Sequence, residues 1–259
     1  MISNQAFIHP DARIGKNVKI EPYSYISGDV VIGDNSWIGP NATVLDGARM
    51  GENCRVFPGA VISAIPQDMK FSGERTTTEI GNNCTFREGA TINRGTVAQG
   101  KTIMGNNCLM MANSHVAHDC ILGNNCILVN NVLLAGEVHM DDYAIMGGGS
   151  AAHQFCRLGA HVMVSGGAMF KKDIPPYILV NHNPVGFAGI NKIGLKRRGF
   201  KQETIGEIEA IYKIIYFSDR NISQALEHIK DNFMPTEERD YIIDFISGSK
   251  RGILKSAIK

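Results

Sequence analysis

The chain has no apolar run long enough to cross a bilayer. Its first residues, Met1-Ile-Ser-Asn-Gln-Ala-Phe7, lack the basic and apolar regions of a secretory leader. Both absences lead to an expected cytoplasmic location. Aromatic residues are scarce, at 7% with a single Trp, which is low for a packed globular core. Charge of neither sign is in excess: the formal net charge is +1, which argues neither for nor against nucleic acid. No Walker or dinucleotide glycine motif stands in a strand-turn-helix setting, and no Cys-x-x-Cys pair occurs. The six cysteines, Cys54, Cys84, Cys108, Cys120, Cys126 and Cys156, are therefore not read as zinc ligands or disulfides.

What the chain does contain is a period of six. From Ile8 to about Pro175, one position in six is aliphatic with few exceptions. Ile8, Ile14, Ile20, Ile26, Ile32 and Ile38 begin the series, Leu122, Leu128 and Leu134 continue it, and Phe170 closes it. An α-helix repeats its apolar face every 3.6 residues and a strand every 2. Six fits a short strand plus a tight corner, with three such units closing a triangular coil. A single coil cannot bury its aliphatic residues, but a stack of them can. One side of the triangle then spans ~20 Å and neighbouring coils lie ~4.8 Å apart. The fold expected is mainly β, a parallel β-helix of hexapeptide repeats, with residues eighteen apart in one column. Pairs such as Gly33-Asp34, Gly81-Asn82-Asn83 and Gly123-Asn124-Asn125 are expected to supply positive-φ corners. All six cysteines fall at the fifth, small place of their hexads and read as core residues.

Two interruptions break the period. Asp68 to Glu79 is a twelve-residue excursion, read as a loop leaving the stack. Ala98-Gln-Gly-Lys-Thr102 is a weaker one. Lys171-Lys-Asp-Ile-Pro-Pro176 ends the run. Beyond Asn191 the spacing turns helical: Ile205, Ile208, Ile211, Tyr212 and Ile215 share a face. Ser223 is expected to cap a helix over Gln224 to Phe233, and Pro235-Thr236 to open a last one through Ile246.

The candidate chemistry lies at His115-Val-Ala-His118-Asp119. The column rule sets Gly136 beside His118 and Glu137 beside Asp119, with His153 in the column of Ala117 and Ala135. An imidazole, a glycine N–H and acidic groups at one corner are what acyl transfer needs: a base for the attacking hydroxyl and a donor for the oxyanion. Imidazole suits the base role because its unperturbed pKa lies near neutrality. Singly, each His reads as a surface or corner residue. Periodicity does not separate a base from a metal ligand. Lys70 stands in the excursion. Lys171-Lys172 and Lys250-Arg251 add positive surface for an acidic protein, and Lys196-Arg197-Arg198 opens the helical part.

Several stretches together carry a family resemblance. They are Gln67-Asp68-Met69-Lys70, Asn93-Arg94-Gly95-Thr96-Val97, His115-Val-Ala-His118-Asp-Cys120, Leu134-Ala-Gly136, Ala152-His153-Gln154-Phe155-Cys156 and Gly194-Leu-Lys-Arg-Arg-Gly-Phe200. The chain resembles, over essentially its whole length, the acyl-carrier-protein–UDP-N-acetylglucosamine O-acyltransferases of lipid A biosynthesis. The resemblance implies a left-handed β-helical acyltransferase domain over residues 1–190 and a C-terminal α-helical domain over 191–259. It implies a homotrimer with active sites between subunits, no cofactor, no metal and no nucleic acid partner. The acyl donor is a phosphopantetheine thioester on acyl carrier protein, and the acceptor is the 3-hydroxyl of UDP-N-acetylglucosamine, the first step of the pathway. It implies His118 as general base, Asp119 as its support and the Gly136 N–H as oxyanion hole. Gln67, Asp68, Lys70, His115 and His153 would line the sugar and phosphate pocket. Gln154, Asn191, Arg197 and Arg198 would contact the nucleotide or the acyl amide end, and Gly166 would stand at the acyl-chain ruler, leaving room for a long chain.

Two positions depart from the family pattern: Glu137 and Asn93 stand where many relatives have His. Glu137 is expected near the sugar, altering substrate contacts without replacing His118. Competing readings are another hexapeptide acyltransferase (the N-acyltransferase of the same pathway or a CoA-dependent transferase), a β-helical carbonic anhydrase, and a structural solenoid. The helix start Gly194–Phe200 and the length favour the first family. A solenoid of the ice-binding kind would show flat Thr arrays, which this chain lacks.

Overall fold

The structure, a computed structural model, describes residues 1–257. The period of six folds as the physics requires. Each hexad gives a strand of mostly two residues whose second member points inward: Ile26, Val44, Ile62, Ile92, Val116 and Leu134 are all fully buried. Three parallel sheets of nine, eight and ten strands form the sides of a triangular coil. The nine-stranded sheet runs from Phe7–Ile8 to Met169–Phe170 and the eight-stranded one from Arg13–Ile14 to Arg157–Leu158. The ten-stranded sheet starts at Lys19–Ile20 and ends in the antiparallel pair Ile178–His182 and Val185–Ile190. The winding is left-handed. That is opposite to the usual crossover of parallel strands, but here the links are tight corners, not packed helices.

Register follows the eighteen-residue rule where the repeats are unbroken, as in His115↔Leu133 and Leu133↔Ala151. Across the excursions the offset is 30 (Val61↔Thr91) and then 24 (Thr91↔His115). The insertions are therefore 12 and 6 residues, and each adds length at a corner without shifting the inward face. The first strand after the long excursion begins at Thr77, earlier than the expected Ile80.

The corners differ from expectation in one respect. Of the Gly, Asn and Asp expected to share the positive-φ role, Asn takes it in these stretches: Asn83 and Asn125, and Asn35 after the Gly33-Asp34 pair, have φ near 58°, whereas Gly33, Gly81 and Gly123 do not have positive φ. Gly is needed there for space. A Cβ on Gly33 would lie 2.5 Å from the Gly51 carbonyl carbon of the next coil. The intervening Asx side chain closes the ladder, as where Asn82 Oδ1 accepts from the Glu52 amide at 2.8 Å and Asn106 Oδ1 from the Asn82 amide at 2.8 Å.

The six cysteines are buried free thiols. Four of them stack in one interior column, each donating to a corner carbonyl of the following coil: Cys54 to Gly81 O at 3.3 Å, Cys84 to Gly105 O at 3.1 Å, Cys108 to Gly123 O at 3.2 Å and Cys126 to Asp141 O at 3.4 Å. The neighbouring thiol in the column, and then burial, push Cys84 and Cys108 up to about 12.

The open end of the stack is closed by four helices, α1 (Lys192–Arg197), α2 (Gln202–Phe217), α3 (Ile222–Asn232) and α4 (Glu237–Ser247). α2 buries Ile205, Ile208, Ile211, Tyr212 and Ile215, and the Tyr212 hydroxyl donates to Pro176 O at 2.7 Å. The α4 residue Tyr241 accepts from the Ala160 amide at 2.8 Å, tying the helices to a corner of the stack. Thr236 caps α4 as expected. α3 starts earlier than expected: Asn221, not Ser223, is its N-cap, in a reciprocal capping box with Gln224. The chain then returns to the stack, bridging Ile253 to Asp173 and Ser256 to Phe187.

Candidate functional site

Most of the residues singled out for chemistry stand at or beside one of the three corners, the one joining the nine-stranded sheet to the eight-stranded sheet. Both excursions leave from it, residues 65–76 and 94–100. The next coils contribute Ala117-His118-Asp119, then Ala135-Gly136-Glu137, then His153-Gln154-Phe155. An insertion elsewhere on the coil would leave the loop on a different edge. Here Gln67, Asp68 and Lys70 stand on a largely exposed loop that leaves from the same corner as the histidines. Asp68 Oδ1 accepts from the Lys70 amide at 3.0 Å and shapes the loop tip.

His118 and Asp119 make direct contact, Nδ1 to Oδ2 at 2.8 Å. Strand alternation would point adjacent side chains apart, but these two lie past the strand end, and Asp119 is left-handed at φ 60°. Asp119 is fully buried, whereas the His118 side chain keeps 19% of its surface. A buried carboxylate needs partners. Thr96 supplies two: its amide donates to Oδ1 at 2.9 Å and its hydroxyl to Oδ2 at 2.6 Å. The Asp119 amide donates to Thr102 Oγ1 at 2.8 Å. An ionised carboxylate only accepts. His118 therefore carries its proton on Nδ1 and presents the Nε2 lone pair outward.

That lone pair faces Gly136. A Cβ at this position would lie 2.8 Å from Nε2 and 2.7 Å from Cε1, so only glycine leaves the space free. At the corner between the eight- and ten-stranded sheets the corresponding amide is capped by an Asx oxygen one coil on, as at Asn124, whose amide donates to Asp142 Oδ1 at 2.7 Å. Here the residue one coil on is Gln154, and among the described residues nothing accepts from the Gly136 N–H. A base, its orienting carboxylate and a free amide thus meet around one small space.

Two clefts flank this corner. One, of about 390 Å³, lies on the nine-stranded face and is walled by Ala151, His153, Met169 and Phe170. The other, of about 710 Å³, lies on the eight-stranded side, where Glu137 and Phe155 meet His139, Arg157, Lys250 and Arg251. Glu137 stands in this second cleft, and His153 is 3.4 Å from an Arg251 guanidinium nitrogen. His115 sits one strand step from the corner, its Nδ1 2.7 Å from Thr91 Oγ1. Burial, and then the neighbouring His118, lower its pKa and keep it neutral. Asn93 is buried at 2% exposure and donates to Ile65 O at 2.7 Å, at the root of the long excursion.

Four residues are not brought to this corner within the chain. Asn191 caps α1, accepting from the Gly194 amide at 3.0 Å and donating to His161 O at 2.9 Å. Arg198 lies over the Tyr143 ring, 5.0 Å from its centroid, and Arg197 is exposed beside it. These stand at the corner between the eight- and ten-stranded sheets. Gly166 is at the third corner, exposed, with the Gly148 carbonyl 3.0 Å from where a Cβ would be. The clamp made by Thr96 and Thr102 escapes sequence reasoning. Its one signal was the six-residue break in the period just before Met104.

Comparison with known proteins agrees with the architecture. Residues 29–64 and 101–136 match the bacterial transferase hexapeptide family, and residues 173–254 match the family described as UDP-N-acetylglucosamine O-acyltransferase, domain 2. An acyl-[acyl-carrier-protein]–UDP-N-acetylglucosamine O-acyltransferase of Thiobacillus denitrificans is 42% identical, over 96% of this chain and 97% of its own. One from Rhizobium rhizogenes is 46% identical over 76% of this chain and 73% of its own. The crystal structure of the UDP-N-acetylglucosamine acyltransferase of Bacteroides fragilis superposes with a TM-score of 0.96 at 52% identity, covering 98% of this chain and 100% of that one.

Proposed function

We propose, for a chain that belongs to the acyl-[acyl-carrier-protein]–UDP-N-acetylglucosamine O-acyltransferase family, that it moves a 3-hydroxyacyl group from acyl carrier protein to the sugar 3-hydroxyl, with His118 as the base. His118 Nε2 takes the proton as the hydroxyl oxygen attacks the thioester carbonyl. A C–O bond forms, and the negative charge on the former carbonyl oxygen is met by the Gly136 N–H. The intermediate collapses, the C–S bond breaks, and the proton passes from His118 to the departing thiolate. Asp119 keeps the imidazole in the tautomer this needs.

The observation that carries this reading is the space between His118 Nε2 and Gly136, bounded at 2.8 Å by the absent Cβ, beside an amide with no partner among the described residues. Gln67, Asp68, Lys70, His115 and His153 line the sugar and phosphate end from this corner and the strand beside it, Gln154 meets the nucleotide or acyl amide end, and Glu137 contacts the sugar from the wider cleft. The acyl chain runs along the nine-stranded face, over Leu133, Ala151 and Met169, toward the shelf at Gly148 and Gly166. Leu133 and Met169, 51% and 71% exposed, give that face apolar side chains for an acyl chain to lie against. Asn191, Arg197 and Arg198 stand at another corner, so a site that uses them draws them from a second copy. That supports a homotrimer with shared sites.

The test is a transfer assay. The purified protein is given UDP-N-acetylglucosamine and 3-hydroxyacyl carrier proteins of several chain lengths, and the product is read by mass spectrometry. The amino-sugar derivative and CoA thioesters serve as competing substrates. An O-acylated nucleotide sugar from the carrier-protein thioester is expected. Transfer only to an amine, or only from CoA, contradicts the reading.

A further inference from the structure

We infer that Thr96 is a positioning residue for the transfer reaction: its hydroxyl and amide together clamp the Asp119 carboxylate so that Asp119 can aim His118. The inference rests on the reading of His118 as base.

The geometry leaves Asp119 few alternatives. It is fully buried, and its side-chain partners are His118 and Thr96. Oδ1 accepts the Thr96 amide at 2.9 Å. Oδ2 is shared by the Thr96 hydroxyl at 2.6 Å and His118 Nδ1 at 2.8 Å. The hydroxyl has no freedom to turn away. Thr96 Oγ1 accepts from the Ala98 amide at 3.2 Å, so its own proton goes to Asp119. The loop is held shut beneath it: the Gly100 amide donates to Thr96 O at 2.7 Å. At Gly95 a Cβ would lie 2.2 Å from the Lys101 amide nitrogen. Thr96 itself is 6% exposed, too enclosed for a substrate contact to explain the threonine. Thr102 fixes the Asp119 amide from the strand that follows. The six-residue insertion thus places one threonine above the carboxylate and another behind its backbone.

Without the hydroxyl, Oδ2 keeps one donor in place of two. The carboxylate can rotate about its Cβ–Cγ bond, and His118 loses a fixed reference. A group acting through the base changes turnover and leaves sugar binding alone. Thr96→Val preserves shape and the amide donor. It is expected to lower kcat by about 10- to 100-fold, at or below the low end of the 10²–10⁴-fold that a positioned base itself contributes, with KM for UDP-N-acetylglucosamine within about twofold. Thr96→Ser restores the hydroxyl and is expected to keep kcat within about threefold of the unaltered enzyme, which makes the readout independent of whether the Val variant folds perfectly. His118→Ala is run alongside. If Thr96→Val turns over normally while His118→Ala is inactive, the base stands and the clamp is refuted. If Thr96→Ser is as impaired as Thr96→Val, the hydroxyl is not the agent and the inference also falls. If His118→Ala is active, the reading beneath both is wrong.

Discussion

Adding a single methyl group at Gly136 separates two things the site needs. The Cβ of a Gly136→Ala variant would sit 2.7 Å from Cε1, 2.8 Å from Nε2 and 3.3 Å from Nδ1 of His118. Carbon contacts relax to about 3.5–4.0 Å, so the ring must retreat by roughly 1 Å. It cannot do so freely, because Nδ1 is held by the fully buried Asp119. A misplacement of about 1 Å costs on the order of 100-fold in rate, or about 2.7 kcal/mol of barrier. The Gly136 amide survives the change, so the loss reports on the base and not on the oxyanion donor. The backbone at Gly136 does not have positive φ, so Ala adds no backbone strain there, and the freedom it removes from the unfolded chain offsets part of the cost of moving the ring. The melting temperature is therefore expected to stay within a few degrees while kcat, from initial rates at saturating substrates, falls about 100-fold. A variant with kcat within threefold of the unaltered enzyme would refute the claim that reacting atoms occupy this space.

Two further predictions concern the stack and its end. Cys84→Ala removes the thiol that donates to Gly105 O at 3.1 Å and leaves a small void, at an expected cost of about 1–3 kcal/mol in denaturant unfolding. Cys84→Ser should cost less, because Ser36 already stands at the same place in the column; equal losses would show that the donor is immaterial. His161 lies between the Tyr143 and Tyr177 rings, and burial first, then the Arg198 charge, push its pKa down from 6.5 to about 4. The unfolded chain therefore takes up a proton that the folded chain refuses as pH falls from 6.5 to 4. That stability is fully present above 6.5 and is lost progressively through this window. A His161→Phe variant should flatten the pH dependence of melting there, and an unchanged slope would contradict the assignment.

The sequence made the stacked coil legible because the period survives every substitution of one aliphatic for another. It made the His118–Gly136 neighbourhood legible for the same reason: eighteen residues is one turn wherever nothing is inserted. Two kinds of feature lay beyond that rule. Corner conformation depends on which residue must bend and which must be thin, and the pattern gave the corner to Gly, Asn and Asp together without dividing those tasks; Asn35, Asn83 and Asn125 do the bending. The clamp on Asp119 depends on how a short excursion folds back, and nothing periodic records that Thr96 returns over a residue 23 positions later. The cap of α3 moved for a third reason. Asn221 and Ser223 are both good cap residues, and the choice falls to the position from which Gln224 can complete the box.

The central claim is that His118 removes the proton from the attacking hydroxyl. Its most direct test is the single-turnover rate of acyl transfer by His118→Ala, with carrier-protein thioester and UDP-N-acetylglucosamine both saturating. The account predicts a loss of about 10²–10⁴-fold, the contribution of one positioned base, with binding of the nucleotide sugar nearly unchanged. A variant that transfers the acyl group at the unaltered rate would contradict it.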